Sequence, residues 1–95
     1  MKNAEIAGVF TDIAELLKLK KDNIFKIRAY RKAARAIEES PVAVAQLAAE
    51  DRLREIPGVG EAITKKIIEL VATGHLGYYE NLKAEFPEKV NPVQG

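Results

Sequence analysis

The stretch IPGVGEAITKK, residues 56–66, sets a proline and two glycines within five residues, starts a helical pattern directly behind them, and places two lysines on that helix. Pro57 has no amide hydrogen and ends any helix that precedes it, while Gly58 and Gly60 are expected to take backbone angles that a side chain forbids. Val59, between them, is expected to drop into a core as an anchor. A helix opening at Glu61 leaves the amides of Gly58, Gly60 and its own first turn without intrahelical partners, at the positive end of the helix dipole. With no side chain on either glycine, an anion can approach those amides closely, and phosphate is the natural guest. Lys65 and Lys66 bring positive charge on the same helix. The same pattern also serves as a plain connector between two packed helices. It is not a nucleotide triphosphate loop, because the GxxxxGK[ST] spacing is missing and no strand precedes it.

A second feature points the same way. Between Lys18 and Arg35 stand eight bases, Lys18, Lys20, Lys21, Lys26, Arg28, Arg31, Lys32 and Arg35, against the single acid Asp22. That segment carries +7 in a chain of net charge +1, so the remainder carries −6. Such a block is the footprint expected for an anionic polymer, since each base that meets a phosphate releases condensed counterions. A solvated helix face is the alternative reading of a charge run.

Composition excludes several classes. Ninety-five residues make one small domain, which buries only about 60–65% of its unfolded surface and so depends on one compact core. Hydrophobic residues at 47% and charged residues at 31% are ordinary for a soluble globular chain, and no apolar run reaches the roughly 18 residues of a membrane span. Glu5 interrupts the only place for a signal-peptide core, which argues for a cytoplasmic location. There is no cysteine and one histidine, His75, so a disulfide framework, a thiolate zinc site and a cysteine nucleophile are all excluded. Nothing in the sequence demands a cofactor.

The elements that must position these groups are helical. Ile6, Phe10, Ile13 and Leu17 recur at helical spacing behind Asn3, a candidate N-cap, and predict a helix over 4–19. Ile27, Tyr30, Ala34 and Ile37 predict a second, ending at Ser40 because Pro41 follows. Ser40 and Pro41 read as N-cap and first residue of a short third helix through Ala48, and Asp51 as the cap of another over 52–55. Ile63, Ile67, Leu70 and Val71 form the apolar face of a helix over 61–72 with Gly74 as its C′ residue. A last helix covers 78–85, and residues 88–95 are expected to be a frayed tail. The fold class is therefore all-α, a monomeric bundle of five or six short helices in a single domain over 1–87, with the helix-hairpin-helix at 51–73 and no strands.

LREIPGVGEAITKKIIELVATGHL resembles the helix-hairpin-helix motif of family X DNA polymerases. NIFKIRAYRKAARAIEESP resembles the helix preceding that motif in their small amino-terminal domain. The two motifs stand in the right order and the likeness covers most of residues 1–87. It implies a domain that contacts the backbone of gapped or nicked DNA bearing a 5′ phosphate, through Gly58, Val59, Gly60, Lys65, Lys66, Lys26, Arg28, Arg31 and Lys32. It implies that the backbone carbonyls of Arg54, Ile56 and Val59 hold Na+ or K+ that bridges to a DNA phosphate. In the polymerase beta branch it further implies a base-excision lyase that removes a 5′ deoxyribose phosphate, with Lys66 at the position of the Schiff-base lysine. Lys26 and Tyr30 match residues that grip the 5′ phosphate there, but Phe25 stands in place of a histidine, and Ala62 and Tyr78 in place of basic residues.

Lys66 lies on the flank of its helix's apolar face, whereas Lys65 points away from it. A lysine attacks an aldehyde only as the neutral amine; the alternative is that Lys66 lays its methylenes along the core edge and keeps its ammonium in water. Tyr30, at stripe spacing, reads equally as core. His75, near a helix end, is expected to cap carbonyls or meet a phosphate rather than ligate a metal. Polymerisation has no place in this chain, which lacks paired aspartates for a two-metal site and the strands that would carry them. Three functions stand: DNA-binding domain, Schiff-base lyase, and protein-interaction domain.

Overall fold

The computed structural model describes residues 1–87 and shows an all-α bundle: α1 (Asn3–Leu19), α2 (Ile24–Glu39), α3 (Val44–Ala49), a 3₁₀ turn (Leu53–Glu55), α4 (Glu61–Thr73) and α5 (Gly77–Glu85). There is no strand among the described residues. The expectation of a frayed tail at 88–95 falls outside them.

One core unites the elements. From α1 come Ile6, Phe10, Ile13 and Leu17, from α2 Ile27, Tyr30, Ala33 and Ile37, and from α4 Ile63, Ile67 and Leu70. Leu47, Leu53, Leu76 and Leu82 close it from the shorter elements and their flanks. The helical periodicity read from the sequence is thus the burial pattern, because each stripe faces the others. No buried polar side-chain atom among the described residues lacks a hydrogen-bond partner, so the core has no unpaired polar group to destabilise it.

The caps differ from expectation. Asn3 is the first residue of α1, behind Lys2, and its side chain instead reaches across the fold: Oδ1 accepts from the Val44 amide at 2.8 Å and Nδ2 donates to the Val42 carbonyl at 3.0 Å. Ser40 does not cap α3. Its hydroxyl folds back on Val42, donating to the carbonyl at 2.7 Å, and α3 starts only at Val44 behind Ala43, which has no capping side chain. Asn3 therefore supplies from a distance the amide partner that a local cap usually gives. Asp51 takes a left-handed φ of 55° and lies one residue ahead of Arg52, which holds the N-cap position of the 3₁₀ turn. Asn23 caps α2 by accepting the Phe25 amide at 2.7 Å, and Gly74, at φ 79°, closes α4 as expected. Replacing Asn3 with alanine removes both cross-links; unfolding by urea is expected to show a loss of about 1–3 kcal/mol, whereas a cap on α1 alone would cost at the lower end.

Candidate nucleic-acid interface

The hairpin begins with a 3₁₀ turn that cannot continue. The amides of Glu55 and Ile56 donate to the carbonyls of Arg52 and Leu53 at 3.0 Å. The next donor in that ladder would be Pro57, which has none, so the Arg54 carbonyl is left over. Ile56 is buried and Val59 packs half-buried against the core, anchoring the bend on both sides. Gly58 turns the chain at φ 80°. Gly60 departs from expectation: its φ of −76° and ψ of 169° are extended backbone open to any residue. What Gly60 gives is space, since a Cβ there would meet nothing within 4 Å. Among the described residues no side chain caps α4. The Thr64 hydroxyl donates to the Gly60 carbonyl at 2.9 Å.

Around this bend the cations divide into separate groups. Lys32 of α2 lies on Gly58, where an added Cβ would come within 2.6 Å of its Cε and 3.3 Å of its Nζ. Arg35 lines the same groove. The basic helix and the bare hairpin thus share a face. A second group forms on Tyr78, the second residue of α5: Lys66 Nζ lies 4.8 Å and Lys26 Nζ 6.0 Å from its ring centroid. Lys66 is half-buried and Lys65 exposed, as the helical angle requires, and both line one shallow groove with Glu61, Ala62, Glu69 and Tyr78.

Other residues stand apart. Arg31 reaches α1, where it pairs with Glu15 at 3.4 Å, and Arg28 is exposed. His75 lies past the far end of α4 from the hairpin, about 20 Å away for a 13-residue helix. Its ring does not cap α4; the Thr73 hydroxyl is shared between the carbonyls of Glu69 and His75, each at 2.8 Å. Among the described residues no cluster of histidine and carboxylates fit for a metal occurs.

Tyr30 belongs to the core and reaches the second cationic group through Tyr78. Its ring stacks between Phe10 (6.1 Å, 13°) and Tyr78 (5.9 Å, 12°). Burial, with the neighbouring Tyr78 phenol adding to it, pushes the Tyr30 hydroxyl well above the usual range, so it remains neutral at physiological pH. The Asn23 amide, donating at 2.6 Å, holds the Asp22 carboxyl below its ordinary value, and Lys26 adds to that effect. Burial opposes the charge on Lys26, but Tyr78 and Asp22 together outweigh it and raise its pKa. In the sequence, Phe25 reads only as a missing histidine and Tyr78 only as a missing base. Phe25 is in fact 73% exposed beside Lys26, the most exposed large apolar side chain of the described residues, and Tyr78 is the hub of the second cationic group.

These features define a helix-hairpin-helix fold with its bend bare and two cationic groups beside it. A family model described as a helix-hairpin-helix domain matches residues 1–76, and the chain belongs to that family. It is similar to the DNA polymerase/3′-5′ exonuclease PolX of Bacillus subtilis (strain 168), with 31% identity over 93 residues, which is 98% of this chain and 16% of the relative. The chain therefore spans about a sixth of the length of that protein.

The two glycines separate in their effects. Gly58→Ala forces a left-handed residue and is expected to cost about 1–2 kcal/mol in chemical denaturation. Gly60→Ala, in open space, is expected to cost less than about 1 kcal/mol, the ordinary penalty of alanine at an N-cap.

Proposed function

We propose that this chain is the DNA-binding domain of a family X repair polymerase, acting in the cytoplasm as a monomer that grips the phosphate backbone of gapped or nicked DNA. The observation that carries this reading is Lys32 lying on Gly58, which joins the largest block of positive charge to the bare amides of the bend. Neither group has any means of telling one base pair from another, so binding is without sequence preference. Polymerising chemistry, in this reading, belongs to other parts of the parent protein.

The two cationic groups suit one strand. Lys26 and Lys32 are six residues apart on α2, about 9 Å along its axis, and one strand presents a phosphate roughly every 3.4 Å of helix rise. The hairpin then holds an internal phosphate while Lys26 and Lys66 meet a 5′-terminal phosphate two or three nucleotides away. The carbonyls of Arg54, Ile56 and Val59 accept no hydrogen bond from the described residues outside the helices, which fits them for Na+ or K+. Such an ion would supply the positive charge that carbonyls lack when a phosphate approaches. Phe25 offers an aromatic face to an unpaired template base in the gap.

A second reading is favoured by one feature, the half-buried position of Lys66 beside Lys26. As a 5′ deoxyribose phosphate lyase, the neutral Lys66 amine would leave the Tyr78 ring and add to the C1′ aldehyde with loss of water. The imine would acidify the C2′ proton; its loss to solvent forms the C2′–C3′ double bond and breaks the C3′–O bond, releasing the strand with its 5′-phosphate, and water then hydrolyses the imine to free Lys66. Borohydride trapping on a gapped substrate decides: a covalent adduct that disappears in Lys66→Ala establishes the lyase, and its absence confines Lys66 to phosphate contact.

For the principal reading, affinity for singly gapped duplex is expected to fall steeply with salt. The slope of log K against log[salt] should lose about 0.9 on Lys32→Ala. Phe25→Ala is expected to weaken binding to gapped duplex by about 1–3 kcal/mol and leave nicked duplex, which has no unpaired base, unchanged. Binding that ignores salt would return the domain to protein interaction.

A further inference from the structure

We infer that Tyr78 is a positioning residue: its ring pins the amines of Lys26 and Lys66 into one site selective for a terminal phosphate monoester over an internal diester. This rests on the 5′-phosphate reading above and says which residue makes that selectivity. The two lysines come from different helices, α2 and α4, and converge on a third element, with both Nζ atoms within 6.0 Å of one ring centroid. A lysine stem is a flexible four-carbon chain, and two ammonium groups brought together repel. The negative face of an aromatic ring placed beside both offsets that repulsion and limits where they can go.

The ring itself is held. Its stack on Tyr30, and through Tyr30 on the fully buried Phe10, runs from the core to the surface. Glu69 of α4 accepts the Gly77 amide at 2.9 Å, fixing the start of α5 one residue ahead of Tyr78. The same bond occupies a carboxylate oxygen in the groove that Lys66 lines, and Lys66 forms no ion pair with the acids of the described residues. Its charge is available to a ligand. The ion pair of Lys26 with Asp22 is long, 3.5 Å, and an arriving phosphate can displace it. A terminal phosphate carries about −1.5 to −2 at neutral pH, against about −1 for a diester, so two preset cations favour it.

The test uses singly gapped duplexes that differ only in a 5′-phosphate or 5′-hydroxyl at the downstream strand, and reads the ratio of their dissociation constants. For the unaltered chain the ratio favours the phosphate. Tyr78→Leu, which removes the ring, is expected to lower that ratio about three- to tenfold; Tyr78→Phe, which keeps the ring, is expected to preserve it. A ratio unaltered in Tyr78→Leu, or lowered as far in Tyr78→Phe, overturns the role of Tyr78 and leaves the phosphate reading standing. A ratio of one in the unaltered chain overturns the phosphate reading and this inference with it. Should Tyr78→Leu fail to fold, the ε-methylene proton shifts of Lys66 and Lys26 in the unaltered chain decide: ring-current upfield shifts support the pinning, and their absence overturns it.

Discussion

The rotation of α2 about its own axis governs the rest of the structure. Ile27, Tyr30, Ala33, Ala34 and Ile37 are buried together, and burying each large apolar side chain is worth about 1.5–3 kcal/mol. The exposed Arg31–Glu15 pair is worth at most about 1 kcal/mol. Packing therefore decides which way the helix faces, and the charges go where packing sends them. Lys26 is delivered to Tyr78, Lys32 to Gly58, Arg31 to α1, and Arg28 to water. A slip of one residue in that register would scatter both cationic groups while leaving net charge unchanged.

The helices and the bare bend are legible in the sequence because each is a local property. Period 3.6 identifies a buried stripe, and Pro57 followed by Gly58 identifies a bend, from a few neighbouring residues alone. The caps are less legible because two residue types compatible with capping find other partners. Ser40 closes a turn on Val42, and Asn3 serves α3 from 41 positions away. Gly60 misleads for a related reason: a glycine records either a forbidden angle or a need for space, and the sequence does not distinguish them. Only the backbone shows that Gly58 is the first kind and Gly60 the second.

The arrangement on Tyr78 has no local signal at all. Lys26, Lys66 and Tyr78 come from three helices, and a tyrosine where the polymerase beta branch carries a base reads in sequence as one cation fewer. In space it gathers two cations already present. Aromatic rings and bases are interchangeable here only because the ring's negative face attracts ammonium groups, so the substitution changes the means by which charge is concentrated and not simply its amount. Phe25 makes the complementary point. Its 73% exposure likewise has no signal in its neighbours in sequence.

Charge segregation gives the last step. With −6 distributed over the rest of the chain, acids gather on α1 (Glu5, Asp12, Glu15), around the 3₁₀ turn (Glu50, Asp51, Glu55) and on α5 (Glu80, Glu85). Glu39 and Glu55 also line the groove of Lys32 and Arg35, and Glu61 opens α4, so the pull on a polyanion is strongest along the bases of α2 and the near-neutral total still orients an encounter. A uniformly basic domain would bind more tightly but in many poses. Here the acids restrict the approach, the bend supplies contacts that need no side chain, and the cations beside it are set by the core. The physical selection is thus for one orientation on a phosphate chain.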